Sequence, residues 1–171
     1  MTDHSSGLIY PSFASNYILL AGSNSPTASE EQNGKLLIQF YTGIPASKAD
    51  HRYAPGKWRI QQVIRHLIDT ERIFCYRLLS IIREEQQILP PFDENGYAEK
   101  SDSLPVSWDQ TLTEWVSSRK ATADMLRGIS EPDWDKVGQV GEYKISARAI
   151  GLLLIGHQLH HREILITRYG C

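Results

Sequence analysis

The chain has 171 residues, a usual length for one domain and enough to bury a core without staples. Its 18 basic and 20 acidic residues are evenly mixed and leave a net charge of −2, so no clustered basic face points to nucleic acid. No apolar run approaches the roughly 18 residues of a membrane span, the N-terminus lacks the parts of a secretion signal, and Cys75 and Cys171 fit neither a disulfide framework nor a CxxC metal pattern; the expected setting is the cytoplasm.

Residues 1–9 read as a flexible tail, with His4 solvated, and 10–171 as a single domain. Tyr10 to Ala21 is a short apolar segment expected to be helical and stopped by Gly22-Ser23-Asn24-Ser25-Pro26. Thr27-Ala-Ser-Glu30 has the spacing of a capping box. Leu36, Leu37, Phe40 and Tyr41 continue a helix that Gly43 and Pro45 end. Residues 44–57 form a linker in which His51 is a solvated loop histidine.

The second long helix is predicted from about Trp58 to Gln86, a stretch free of Gly and Pro. Its apolar stripe includes Val63, Leu67, Ile73, Phe74 and Ile81, and His66 lies at the edge of that stripe, about 20° from Ile73. Thr70 is one turn on, on the same face. Asp69 could accept from an imidazole N–H, or could belong with Glu71, Arg65 and Arg72 to a solvated charged face. Arg77 faces the core about 20° from His66; it could touch substrate, or be paired or snorkelling.

Residues 87–106, with Pro90, Pro91 and Gly96, are expected to be a non-helical connection, either a functional cover or a packed surface loop. The Asp93–Tyr97 loop within it, Asp93 and Tyr97 above all, is a candidate for substrate contact. Ser107-Trp-Asp-Gln110 is another capping box. It opens a helix buried through Leu112, Trp115, Val116, Met125, Leu126 and Ile129, which Gly128, Pro132 and Gly138 break. No strand alternation of convincing length is present. Ser146 is a plausible cap for the last helix, which runs to about Tyr169.

That helix carries Gly156-His157-Gln158-Leu159-His160-His161. At about 100° per residue, His161 lies about 40° around from His157, so both imidazoles can aim at one point. Ile150, Leu153, Leu154, Ile164 and Leu165 lie on the same side. Imidazoles buried in an apolar stripe need partners, and a metal ion is one; a hydrogen-bonded core histidine is the plainer alternative. His160 is a marginal member. The opposite side carries Leu152, Ile155, Leu159 and Ile166, which calls for cover from a neighbouring helix or from a second subunit; a homodimer is the favoured reading.

Four helices joined by loops imply an all-α bundle, in which metal sites are built in the core from facing helices. His66 with His157 and His161 gives a three-histidine set from two helices, the ligand count of a catalytic site with an open position. Cys75 lies about 180° from His66 and is excluded.

With Ala54-Pro-Gly-Lys-Trp58, His66-Leu-Ile-Asp-Thr-Glu-Arg72, Phe92-Asp-Glu-Asn-Gly-Tyr97 and Gly156-His-Gln-Leu-His-His161, nearly the whole chain resembles the DinB-like (YfiT-like) superfamily of metal-dependent enzymes. The resemblance implies an up-down-down-up four-helix bundle, here with a short extra N-terminal helix, frequent dimers, and a divalent metal (nickel, zinc, iron or manganese) held by His66, His157 and His161. It also implies thiol-dependent chemistry on a small-molecule substrate: transferases using bacillithiol, mycothiol or glutathione, and maleylpyruvate isomerase. Metal-dependent hydrolysis and a non-enzymatic stress-related binding module are the competing readings. Metal binding needs neutral imidazoles, so the affinity of this site is expected to fall as pH drops through about 6.5.

Overall fold

The computed structural model describes residues 8–101, 103 and 105–171. Helices α1 (Ser15–Leu20), α2 (Pro26–Thr42), α3 (Ile60–Ile82), α4 (Glu94–Ser101), α5 (Trp108–Arg127) and α6 (Ala147–Thr167) are joined by loops, with a hairpin of β1 (Val137–Val140) and β2 (Tyr143–Ser146) before α6. No helix among the described residues is long and apolar enough to cross a membrane.

The ends of these helices follow from side-chain chemistry. Ser25, not Thr27, opens α2: its Oγ accepts from Ala28 N at 3.3 Å, and Pro26 occupies the first turn, where its missing N–H costs nothing. The capping box at Ser107 and Gln110 forms as expected, and Ser146 Oγ accepts from Ala149 N at the start of α6. Helix α3 stops at Ile82, four residues earlier than predicted. Glu84 adopts φ of 60°, and the Glu84 and Glu85 amides return to the Ile81 and Ser80 carbonyls. That is a left-handed helix stop built without the glycine that usually announces one.

Two further elements depart from the sequence reading. The stretch 87–106 contains a helix, α4, because the Asp93 carboxylate accepts from the amides of Asn95 and Gly96 and so starts it. Gly96 leaves room for that contact, since a Cβ there would lie 2.6 Å from the carboxylate. Each strand is only four residues long, too short for alternation to be legible. They pair antiparallel through a tight turn with Gly141 at φ of 55°, and Leu89 bonds to Gln139 and Gly141 along β1.

Helices α2, α3, α5 and α6 form the bundle, and pairs of contacts give their directions. Glu30 with Arg119 and Tyr41 with Trp115 run α2 against α5. Gln61 with Thr111 and Cys75 with Thr122 set α3 parallel to α5. His66 with His161 and Phe74 with His157 set α3 against α6. Pro26 beside Gly151 and Tyr41 with Gln158 set α2 parallel to α6. The bundle is therefore up-down-down-up, as expected.

A buried polar network ties these four helices together. Arg119 on α5 binds Glu71 on α3 at 2.9 Å and Glu30 on α2. Glu71 also accepts from Gln158 Nε2 on α6 at 2.9 Å, and Gln158 Oε1 accepts from Trp115 Nε1 at 3.1 Å. Glu71 is thus not part of a solvated face: it is 2% exposed, and burial pushes its carboxyl up while Arg119 opposes the shift. Leu152 and Ile155 on the far side of α6 are fully covered within the chain, so no second subunit is needed to bury them, while Ile166 is exposed.

Of the expected tail, residues 1–7, His4 among them, lie outside the described residues. Leu8 is buried, and Ile9 O accepts from Ser146 N at 2.8 Å, so these two residues pack with the domain rather than belonging to a tail.

Removing Arg119 would leave two carboxylates without their cation. Arg119→Met is expected to lower stability by about 3–5 kcal/mol, read from urea unfolding midpoints at neutral pH; a loss under about 1 kcal/mol would mean the network is not integral to the bundle.

Candidate metal centre

The three histidines meet. His66 Nε2 and His161 Nε2 each lie 3.1 Å from His157 Nε2, and one ligand nitrogen from each residue falls within 4.8 Å of the others. Helix α3 brings His66 and antiparallel α6 brings His157 and His161 one turn apart. Gln158, rotated about 100° from His157, fixes the other side of α6 through Glu71 and Trp115.

All three imidazoles are held neutral. Burial lowers His66 to about 4, with His160 adding to the shift. Burial, then the neighbouring histidines, hold His157 and His161 well below the usual range. A neutral imidazole has one donor and one acceptor nitrogen. Two rings facing a single His157 Nε2 cannot both be well satisfied by hydrogen bonds. A shared cation satisfies all three, and 3.1 Å is close to the roughly 3.3 Å edge of a tetrahedron with metal–nitrogen bonds of about 2.0–2.1 Å. The donor set therefore fits a divalent metal. Because burial depresses the His66 pKa, the loss of ligand capacity moves below the 6.5 expected for a free imidazole, toward 4.

Thr70, not Asp69, partners His66 Nδ1, at 3.4 Å. Asp69 has Arg65, Arg72 and Glu114 as its charged neighbours. A cavity of about 350 Å³ opens over the histidines, walled by Tyr17, Trp58, Phe74 and Phe92, with Glu94 and Asn95 from α4 and His160 also lining it. Tyr17 packs edge-on against His157 and His160, with centroids 5.7 and 5.0 Å away. Burial, then Glu94, raises its phenol pKa. Gly156 makes this possible: a Cβ there would lie 1.9 Å from the Tyr17 carbonyl oxygen.

The other candidate contacts lie around the cavity rather than on its wall. Arg77 is buried between the rings of Phe74 and Phe92 and donates to Pro90 O at 2.8 Å. Asp93 caps α4, and Tyr97 is half-exposed against Phe92. Sequence reasoning missed Tyr17, and took the Asp93–Tyr97 loop as a candidate contact without singling out Glu94 and Asn95 within it. A glycine beside His157 inside an apolar helix was the available sign of a close neighbour, and reading Asp93 as a cap would have put Glu94 and Asn95 on the first turn of a helix.

A model of the DinB superfamily matches residues 31–165. A relative from Oceanobacillus iheyensis, whose name proposes a metal-dependent hydrolase, is 34% identical over 103 residues, which span 60% of this chain and only 59% of that protein. A Bacillus cereus relative whose name proposes the same class is 32% identical over 129 residues, 73% of this chain and 72% of the relative. The solved structure of YfiT from Bacillus subtilis, described as an unusual four-helix bundle and proposed to be a metal-dependent hydrolase, matches with a TM-score of 0.65. It covers 99% of this chain and 93% of that one at 20% identity, and so speaks for the fold.

The depressed imidazoles have a consequence for the metal-free protein. Unfolded, a histidine takes its proton near 6.5; folded, His66 takes it only near 4. The unfolded state binds more protons in between, so stability is full above pH 6.5 and is lost as pH falls toward 4. His66 alone contributes on the order of 3 kcal/mol to this slope. With a chelator present, His66→Gln is expected to flatten the pH dependence of urea unfolding between pH 6.5 and 4; an unchanged slope would contradict the burial described.

Proposed function

We propose that this chain, which belongs to the DinB superfamily, is a metal-dependent enzyme in which His66, His157 and His161 hold a divalent ion beside a cavity that admits a small-molecule substrate. The observation that carries this reading is the convergence of three neutral imidazoles on one cavity wall. Nickel, zinc, iron and manganese are the ions to test; imidazole nitrogen suits the first three directly. When bound, such an ion supplies a Lewis acid that polarises an electrophile and lowers the pKa of a water or thiol beside it.

The chain's own residues supply the rest. Thr70 fixes the His66 ring through Nδ1, leaving Nε2 for the ion. Glu94 is the carboxylate lining the cavity and makes no ion pair among the described residues, so it is placed to take the nucleophile's proton. Tyr17, kept protonated, can donate a hydrogen bond to substrate. Trp58, Phe74 and Phe92 restrict water.

Two nucleophiles fit this arrangement. Water gives hydrolysis, the class proposed in the names of the relatives. A thiol gives S-transfer, the activity implied by the sequence resemblance. Cys75 contacts Thr122, and neither cysteine lines the cavity, so a reacting thiol would be a low-molecular-weight co-substrate.

The isolated protein is expected to hold one divalent ion per chain, retained at pH 5.5, released near pH 4 and absent in His157→Ala, as measured by elemental analysis after dialysis. A folded chain that never holds an ion would leave a binding module instead. Against panels of esters, amides and electrophiles with added thiols, Glu94→Gln is expected to lower kcat by about 10²–10⁴-fold while keeping the metal. Full activity in that variant would remove Glu94 from proton transfer.

A further inference from the structure

A second cavity, of about 250 Å³, adjoins the first, and Trp58, Asn95 and His161 line both. Its remaining wall has a distinct chemistry. Lys57 and Arg168 are its charged lining residues, both cationic, and no carboxylate among the described residues lines it. The Arg168 guanidinium lies over the Tyr53 ring, 5.9 Å from the centroid, and Nη1 donates to Tyr53 Oη at 3.4 Å. A guanidinium has five N–H donors in a planar fork. Stacking on Tyr53 holds that fork at the cavity while most of its donors remain free for a ligand. Neither Lys57 nor Arg168 forms an ion pair among the described residues.

His161 gives an independent sign. Its Nε2 faces His157, yet its Nδ1 is buried with no hydrogen-bond partner. A histidine that ligates a metal through one nitrogen nearly always donates its other N–H to an acceptor such as a carboxylate. Among the described residues none accepts from it, and one of the two cavities that His161 borders is the one lined by Lys57 and Arg168, neither of them in an ion pair.

We propose that this annex is a carboxylate-binding subsite. The substrate is then a small organic acid whose carboxylate is gripped by Arg168 and Lys57 beside His161, while its reacting carbon or heteroatom reaches past His161 into the histidine cavity. The aromatic walls of Tyr53, Trp58 and Tyr169 suit a short carbon chain between the two ends. This deepens the metal-enzyme reading by giving it a substrate class, and rests on that reading for the chemistry but not for the binding.

The test uses succinate and its neutral isostere succinamide as probes, titrated into the 171-residue chain with the Trp58 indole resonance followed by NMR. Succinate is expected to shift that resonance saturably at millimolar concentration, and succinamide at least about tenfold more weakly. Arg168→Gln is expected to weaken succinate by about tenfold or more, and Lys57→Gln by a smaller factor, with metal content and thermal stability unchanged. His66→Ala, which removes a proposed ligand outside the annex, should lose metal and still bind succinate. That outcome separates the two readings: loss of metal binding in the wild type would sink the metal centre and leave the annex standing. Equal binding of the two probes, indifference to Arg168→Gln, or loss of succinate in His66→Ala would each overturn the subsite.

Discussion

One carboxylate, Glu71, organises the bundle. It is 2% exposed and accepts from Arg119 and Gln158, so it can be buried only if α3, α5 and α6 take one mutual register. Arg119 extends the constraint to α2 through Glu30. Apolar side chains alone would tolerate small rotations of a helix about its axis; a directional hydrogen bond to a buried charge does not. Gln158 neighbours His157 in sequence and points to the network side of α6. The same interaction that fixes the helix therefore aims His157 and His161 at His66.

Burial does two opposing things at the centre. It strips the imidazoles of water, which costs free energy, and it keeps them neutral, which is the state a metal ligand needs. The cost is tolerable because the rings face one another and Thr70 rather than hydrocarbon alone. Charge enters the surrounding cavities only at their edges, with Glu94 on one side and Lys57 and Arg168 on the other. A substrate lying across His161 would have an anionic end and a proton-losing end already assigned to different walls.

How much of this was legible in the sequence depended on the range of each interaction. The bundle and its three histidines were legible because i, i+4 spacing and apolar periodicity are local properties of long helices. Ser107 and Ser146 were legible as caps for the same reason. Glu71 was misread because its partners, Arg119 and Gln158, are 48 and 87 residues away, and in isolation it sits in a run of charges. Glu84 ended α3 without glycine, so composition gave no stop. Helix α4 hid behind Pro90, Pro91 and Gly96, although Gly96 serves the cap on which that helix starts. Tyr17 reached the site only by tertiary contact across Gly156.

The residues that line the two cavities divide by origin. The long helices α3 and α6 supply the histidines, Thr70 and Phe74. Short or irregular pieces supply most of the remaining wall: Tyr17 from α1, Glu94 and Asn95 from α4, and Tyr53, Lys57 and Trp58 from the connection before α3. These pieces rest on the bundle without being part of its four-way network. Their side chains can change with little effect on the register that Glu71 imposes, whereas a change within the network would move the histidines themselves. Reactivity in this fold is thus tied to stability, and specificity is largely free of it. Arg168 is the informative exception, because it sits at the C-terminal cap of α6 and carries the line of the rigid helix to the annex. The distance between the proposed carboxylate grip and His161 is therefore set by two turns of one helix, and the length of substrate that could span them is fixed by the same element that places His157 and His161.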